Sequence, residues 1–334
     1  MKKTLIALAA VVAAGGAFAQ STVSLTGGVS FGFQSKPTAV GNVAGLSATD
    51  GSLYVNVSED LGGGLTAAAS MNFDNGPDQF NIAGFNRRAM GLSLAGGFGK
   101  VSFANTRSGD LIAGAFIAPS NLPNGFYDNG IQARSAIDIL TYTTPSFSGF
   151  TGNLSYVESG GSLALGYPAN GAGDGNNKFT TTTVVLGLNY ANGPLAGGLA
   201  FKSSNYNGPY ANGAATVAAG NIARSTNAEG VISYDFGVAK VALGFDTGTA
   251  GVVTSAFNDA TAWAFGVAVP VGAVTVGANW AQRDSINAYE VAVKYDLSKR
   301  TNVNLSFGRG NSPVVMPNAT TDGSQYRLSL NHAF

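Results

Sequence analysis

From Val23 to the C-terminus this chain repeats one device: apolar side chains at every second position, never gathered into a run long enough to cross a membrane as a helix. Val23, Leu25, Gly27, Val29, Phe31 and Phe33 alternate with Ser24, Thr26, Gly28, Ser30, Gly32 and Gln34. A period of two is the signature of a strand, whose successive side chains point to opposite faces. Charged residues make up only 11% of the chain, against about 25% in an ordinary soluble domain. A helical membrane protein would need roughly 20 consecutive apolar residues per span, and no such run follows residue 19. A sheet with one face in hydrocarbon and the other in water accounts for both departures.

The alternation recurs at Leu53–Val57, Leu65–Phe73, Met90–Leu94, Val101–Phe103, Ile137–Thr144, Phe150–Tyr156, Val184–Tyr190, Leu195–Phe201, Ala228–Tyr234, Val241–Phe245, Trp263–Val269, Val274–Trp280, Tyr289–Tyr295, Val303–Phe307 and Tyr326–Phe334. With the first segment this makes sixteen strands. Short connections rich in Gly, Asn, Asp and Pro, such as 60–63, 96–99, 145–149, 191–194, 235–237, 270–272 and 296–299, suit tight reversals. They alternate with mostly longer loops near 35–51, 75–85, 105–136, 158–178, 207–223, 247–259, 284–287 and 310–324. Every backbone N–H and C=O in hydrocarbon must be paired, so such a sheet has to close on itself. The pattern therefore predicts an all-β protein, a 16-stranded antiparallel transmembrane β-barrel, with both termini on the side of the short turns. Tyr190, Tyr234, Tyr295 and Phe334 fall at strand ends on that side, as an interfacial aromatic girdle requires, and Trp263 and Trp280 near the opposite one.

Residues 1–19 read as a secretory signal peptide: Lys2 and Lys3, an apolar stretch from Leu5 to Ala14, then Ala17-Phe18-Ala19 before Gln20. The barrel domain is expected over residues 20–334. Loss of Lys2 and Lys3 with the leader leaves a net charge of about minus two, which offers no footprint for nucleic acid. The absence of Cys removes thiolate metal sites and cysteine nucleophiles, and the single His332 offers little to general-base chemistry. The expectation is a protein that is not an enzyme and that needs no cofactor and no metal.

Several motifs carry a more specific likeness: Glu59-Asp60-Leu61-Gly62-Gly63-Gly64, Gly96-Gly97-Phe98-Gly99-Lys100-Val101, Tyr142-Thr143-Thr144-Pro145-Ser146-Phe147-Ser148-Gly149-Phe150, Tyr295-Asp296-Leu297-Ser298-Lys299-Arg300-Thr301 and the ending Asn331-His332-Ala333-Phe334. In this order they resemble the trimeric general porins of Gram-negative bacteria, especially their betaproteobacterial, comamonad-like branch. The resemblance implies a homotrimer in the cell outer membrane, among lipid and lipopolysaccharide, passing small hydrophilic solutes and ions by diffusion; a substrate-specific channel is the alternative. It implies that the third long loop, 105–136, folds inward and faces basic wall residues. The pore-constriction candidates are then Asp110 and Asp128 on the acidic side, with Arg87, Arg88, Arg107 and Arg134 on the basic side. Parity favours Arg87 over Arg88, since Met90, Leu92 and Leu94 hold the lipid-facing positions; Arg88 fits only above the membrane band or beside a bulge. Parity likewise directs Lys202, Lys240, Arg283, Lys294 and Arg327 to the lumen wall, because a cation facing mid-bilayer lipid costs about 2–4 kcal/mol. In the family the last strand is read by the outer-membrane assembly machinery, and Tyr326, Leu328, Leu330 and Phe334 look like that signal. Strongly basic pores of the family carry a further Arg on the second strand, where this chain has Ser52. That departure implies no more than a modest anion preference.

Overall fold

The computed structural model describes residues 21–38, 41–74, 86–120, 122, 131, 136–159, 181–206, 210–212, 215–217, 225–248, 260–311, 315–316, 319–320 and 323–334. Among them, sixteen antiparallel strands form a closed barrel. In chain order these are β1 (Thr22–Thr38), β2 (Gly41–Gly62), β3 (Leu65–Asp74), β4 (Asn86–Gly96), β5 (Gly99–Arg107), β6 (Ala136–Thr143), β7 (Phe150–Ser159) and β8 (Thr181–Asn192). They continue as β9 (Leu195–Tyr206), β10 (Ser225–Asp235), β11 (Lys240–Asp246), β12 (Ala262–Val271), β13 (Val274–Arg283), β14 (Ile286–Asp296), β15 (Thr301–Gly310) and β16 (Gly323–Ala333). Each strand pairs with its neighbours in sequence, and β1 pairs with β16 from Gly28↔Ala333 to Ser35↔Tyr326. Short hairpins at Tyr210–Asn212/Ala215–Val217 and Val315–Met316/Ala319–Thr320 stand outside the barrel sheet.

Burial inverts the order of a water-soluble protein. Leu92 and Leu186 are 61% and 62% exposed, while Ser204 and Ser306 are fully buried. The parity read from sequence decides which residues do which: along β14, Tyr289, Val291 and Val293 are exposed and Ala288, Glu290 and Ala292 buried. An exposed apolar belt around a closed sheet is the surface that hydrocarbon covers. On one side of the barrel it carries a row of exposed rings, Phe33, Tyr326, Phe307, Tyr289, Trp280, Phe265 and Trp263.

The seam between the first and last strands ends on Phe334. Gly27 N–H donates to the Phe334 carbonyl at 3.1 Å, and Phe334 N–H donates to the Gly27 carbonyl at 3.0 Å. A Cβ on Gly27 would lie 2.7 Å from the Phe334 ring, so glycine leaves the place that ring occupies. On the inner parity of the seam, Ser30 Oγ donates to Asn331 Oδ1.

Two local readings need correction. The expected loop at 35–51 is instead a long hairpin, in which β1 and β2 stay paired out to Thr38↔Gly41. Its small and polar residues carry little apolar alternation, so the ladder outruns the pattern that announced it. A bulge between Ser30 and Phe31 leaves Thr49 as the extra residue. The expected turn at 270–272 begins later: Pro270 belongs to β12 and faces Thr275 of β13. On its other side the ladder with β11 ends at Lys240↔Ala268, so a residue without an N–H is tolerated there. Asn72 pairs with Ala89 and Phe73 with Arg87, which makes Arg88 the extra residue of a bulge in β4.

Candidate functional site

After β5 the chain does not turn straight into β6. Residues 108–120 lie against the inner parity of β9 to β13, with a 3-10 turn at Leu111–Ala115 contacting β9, β10, β11 and β12. The turn closes on its own backbone through Ala113 N–H to the Asp110 carbonyl and Phe116 N–H to the Ala113 carbonyl, each 3.1 Å. Ile112 and Ala115 are fully buried against Ala242, Ala262 and Ala264. The wall is built from small side chains here, and that lets a backbone segment approach it.

Polar groups of the wall grip the segment at both ends. Lys202 Nζ lies 2.9 Å from Asp110 Oδ1 and 2.9 Å from Glu229 Oε1. The other oxygen of Glu229 accepts the Leu111 N–H at 3.0 Å. Further along, Ala118 N–H donates to Asn279 Oδ1 at 3.0 Å, and Asn304 Nδ2 donates to the Pro119 carbonyl at 2.6 Å. A second ion pair stands beside the first: Arg283 and Asp246 meet at 2.7 Å with both side chains 2% exposed. Arg283 also donates to the carbonyls of Ile131 and Ala260, and Asp246 accepts from Asn227 Nδ2 and Gly248 N–H. The carboxylates of Asp110, Glu229 and Asp246 lie within 4.8 Å of one another. That spacing suits a cation, and Lys202 and Arg283 already supply the positive charge. The result is a compact five-charge cluster of three acids and two bases.

Two cavities border this arrangement. One, of about 320 Å³, is lined by Arg107, Asp110, Lys202 and Glu229 together with Ile139, Val157 and Val185. The other, of about 500 Å³, lies beyond Pro119 and Leu122 toward the short-turn end and is lined by Lys294, Arg300, Asn304 and Arg327, with Asp50 as the carboxylate among them. The acidic cluster and the basic cavity are therefore displaced along the wall.

Of the residues singled out from sequence, Asp110 and Lys202 are brought into direct contact. Arg283 faces Asp246, and Arg327 donates to Gln34 Oε1 through Nε at 3.1 Å and a terminal nitrogen at 2.6 Å. Lys294 pairs with Asp296 at 3.1 Å, and Lys240 opens β11 on the inner parity, exposed. Arg107 ends β5 on the parity of the exposed Val101 and Phe103, at the rim of the smaller cavity. Arg87 and Arg88 are fixed only as backbone positions flanking the β4 bulge, and Asp128 and Arg134 lie outside the described residues. Tyr326, Leu328, Leu330 and Phe334 all sit on the exposed apolar face. Glu229, Asp246, Asn279 and Asn304 escaped the sequence reading, although the parity rule that selected the cations places them inward too.

Comparison with known proteins agrees with this architecture. A sequence profile described as Gram-negative porin matches residues 4–313. The chain is 30% identical to outer membrane porin protein 32 of Delftia acidovorans, over 92% of this chain and 89% of that protein. It is 28% identical to an outer membrane porin protein of Bordetella pertussis, over 91% of this chain and 92% of that protein. Among solved structures, the anion-selective porin from Comamonas acidovorans superposes with a TM-score of 0.64 at 22% identity, covering 94% of this chain and all of that one.

Proposed function

The chain belongs to the Gram-negative porin family, and from that premise we propose that residues 108–120 fold into its lumen and narrow a pore for small hydrophilic solutes and ions. Its place is the outer membrane, and its exposed belt is what the lipid covers. The observation that carries the proposal is the double grip of Lys202 on Asp110 and Glu229, which holds a carboxylate of the segment against a strand wall. A closed barrel whose inner face is lined with Ser, Asn, Glu and Arg offers no apolar barrier to a hydrated ion. Passive diffusion follows from that geometry.

Selectivity in this reading comes from two opposed charge groups. The cluster at the segment holds Asp110, Glu229 and Asp246 against Lys202 and Arg283 and is net acidic. The cavity toward the short turns holds Lys294, Arg300 and Arg327 against Asp50 and is net basic. Fields of opposite sign in series leave a modest anion preference, with an anion-to-cation permeability ratio of about two to five. The Comamonas acidovorans relative is an anion-selective porin, and a preference of the same sign is expected here. Arg87 and Arg88 would add to it from β4. The working form is a homotrimer, and residues 1–19 are removed on export.

Planar-bilayer recording tests the proposal. Stepwise conductance without saturable block by a solute is expected, and deletion of 111–119 raises the step about twofold or more by opening the bore. An unchanged step after that deletion would remove these residues from the constriction, and clear cation selectivity in the intact protein would remove the basic groups from control. Assembly supplies a separate prediction. Removing Phe334 strips two backbone bonds and one ring from the closing seam, so pulse-chase folding in the outer membrane slows severalfold while the deletion leaves conductance of the assembled fraction unchanged.

A further inference from the structure

We propose that three glycines of the barrel wall, Gly244, Gly266 and Gly277, form a shelf that sets how deeply the 111–119 segment sits, and thereby the bore of the pore. The inference rests on the preceding reading that this segment narrows the lumen. The three stand on the inner parity of consecutive strands β11, β12 and β13, and each lies under successive residues of the segment. A Cβ on Gly244 would come within 3.1 Å of Ile112 Cα and 3.2 Å of Ala115 Cβ. One on Gly266 would overlap the Ala115 carbonyl oxygen, and one on Gly277 would lie 2.8 Å from Ala118 Cα and 2.7 Å from Pro119 Cδ. The nearest segment atom in each case belongs to the backbone or to a proline ring, which does not swing aside as the end of a long side chain does; the Cβ on Gly277 would also lie 2.7 Å from the Val267 carbonyl oxygen of β12.

Glycine inside a strand weakens the strand, so three on neighbouring strands beneath one segment call for a reason. The hydrogen bonds of Glu229 and Asn279 define where the segment begins and ends. They do not define its height above the wall between those points. The shelf does: with no side chain at the three positions, the segment settles to backbone contact. Adding one methyl lifts the segment toward the pore axis by about 1 Å, because nonbonded carbon atoms settle near 3.5–4.0 Å. Gly244, Gly266 and Gly277 are positioning residues, acting on solutes only through the segment they support.

The test is single-channel recording of Gly266→Ala and Gly277→Ala in the full-length protein, after heat-dependent gel migration has shown that each assembles. Conductance varies with the square of the bore radius, so each variant is expected to lose on the order of a fifth to a third of its conductance, with ion selectivity unchanged because no charge is altered. Gly91→Ala on β4 is the control: its Cβ would meet the Ser70 hydroxyl at 3.1 Å, with the Phe103 carbonyl oxygen at 3.5 Å and Ala104 Cβ at 3.9 Å in ordinary contact, none of them in the segment, and conductance stays at the wild-type level. Gly244→Ala should be partly restored by Ala115→Gly, which removes one of the three atoms in its way. Unchanged or raised conductance in assembled Gly266→Ala and Gly277→Ala overturns the shelf. Should deletion of 111–119 also leave conductance unaltered, the constriction itself is overturned. If the deletion opens the pore while the alanine variants match wild type, only the shelf falls.

Discussion

Arg283→Met lowers barrel stability by about 3–5 kcal/mol, because removing one member of a buried ion pair leaves the other charge stranded. Arg283 and Asp246 are 2.7 Å apart and 2% exposed, so no bulk water replaces the lost partner. The guanidinium also holds the carbonyls of Ile131 and Ala260, which lose a charged donor in the same step. Asp246 keeps its bonds from Asn227 and Gly248, but these neutral donors do not cancel its charge. The measurement is urea unfolding of the refolded barrel, with the temperature of the heat-dependent gel shift as a second readout. Adding Asp246→Asn to Arg283→Met should recover more than half of the loss, since it deletes the stranded charge. If the single variant is as stable as wild type, the pair contributes nothing and the wall is held by its ladder alone. Little recovery in the double variant would instead assign the loss to the carbonyl contacts.

The barrel was legible in the sequence because lipid and water impose their demands one residue apart. Leu186 and Val185 differ in exposure although both are apolar, and only parity distinguishes them. Where that demand lapses, legibility lapses with it. Between Ser35 and Gly51 the hairpin extends with small and polar residues, and its ladder had to be observed rather than inferred. The bulge that isolates Arg88 likewise leaves no mark on composition, since it is a choice of register between β3 and β4. The charge cluster was half legible. Lys202 and Arg283 were placed inward by the cost of facing lipid, and the same cost applies to Glu229 and Asp246. What sequence alone withheld was their convergence: β9, β10, β11 and β13 bring their charges to one height of the wall, and Asp110 joins them because the segment crosses there. The glycines under that segment read as ordinary breaks in the alternation until the residues above them are seen.

Lys202→Gln should shift the pore strongly toward cations, since among the described residues Lys202 is the cation bound to both Asp110 and Glu229. With it neutralised, two carboxylates about a hydrogen-bond length from its former position face each other, and the local charge of the five-membered cluster falls from minus one to minus two. Repulsion across a few ångströms in a partly water-filled lumen is worth on the order of 1–4 kcal/mol. The segment relieves it by moving Asp110 away from the wall, so selectivity and bore change together. Reversal potentials in a tenfold salt gradient are expected to show the anion-to-cation permeability ratio falling about fivefold, and conductance becoming noisier as the segment loses one of its anchors. Glu229→Gln is the informative counterpart. It removes one negative charge yet keeps an acceptor for the Leu111 N–H, so it should raise the anion ratio about twofold with conductance steady. A fivefold fall for one variant and a rise for the other would tie selectivity to this cluster. Equal reversal potentials in wild type and both variants would move control of ion choice to the basic cavity beyond Pro119, where Lys294→Gln and Arg327→Gln would then carry the effect.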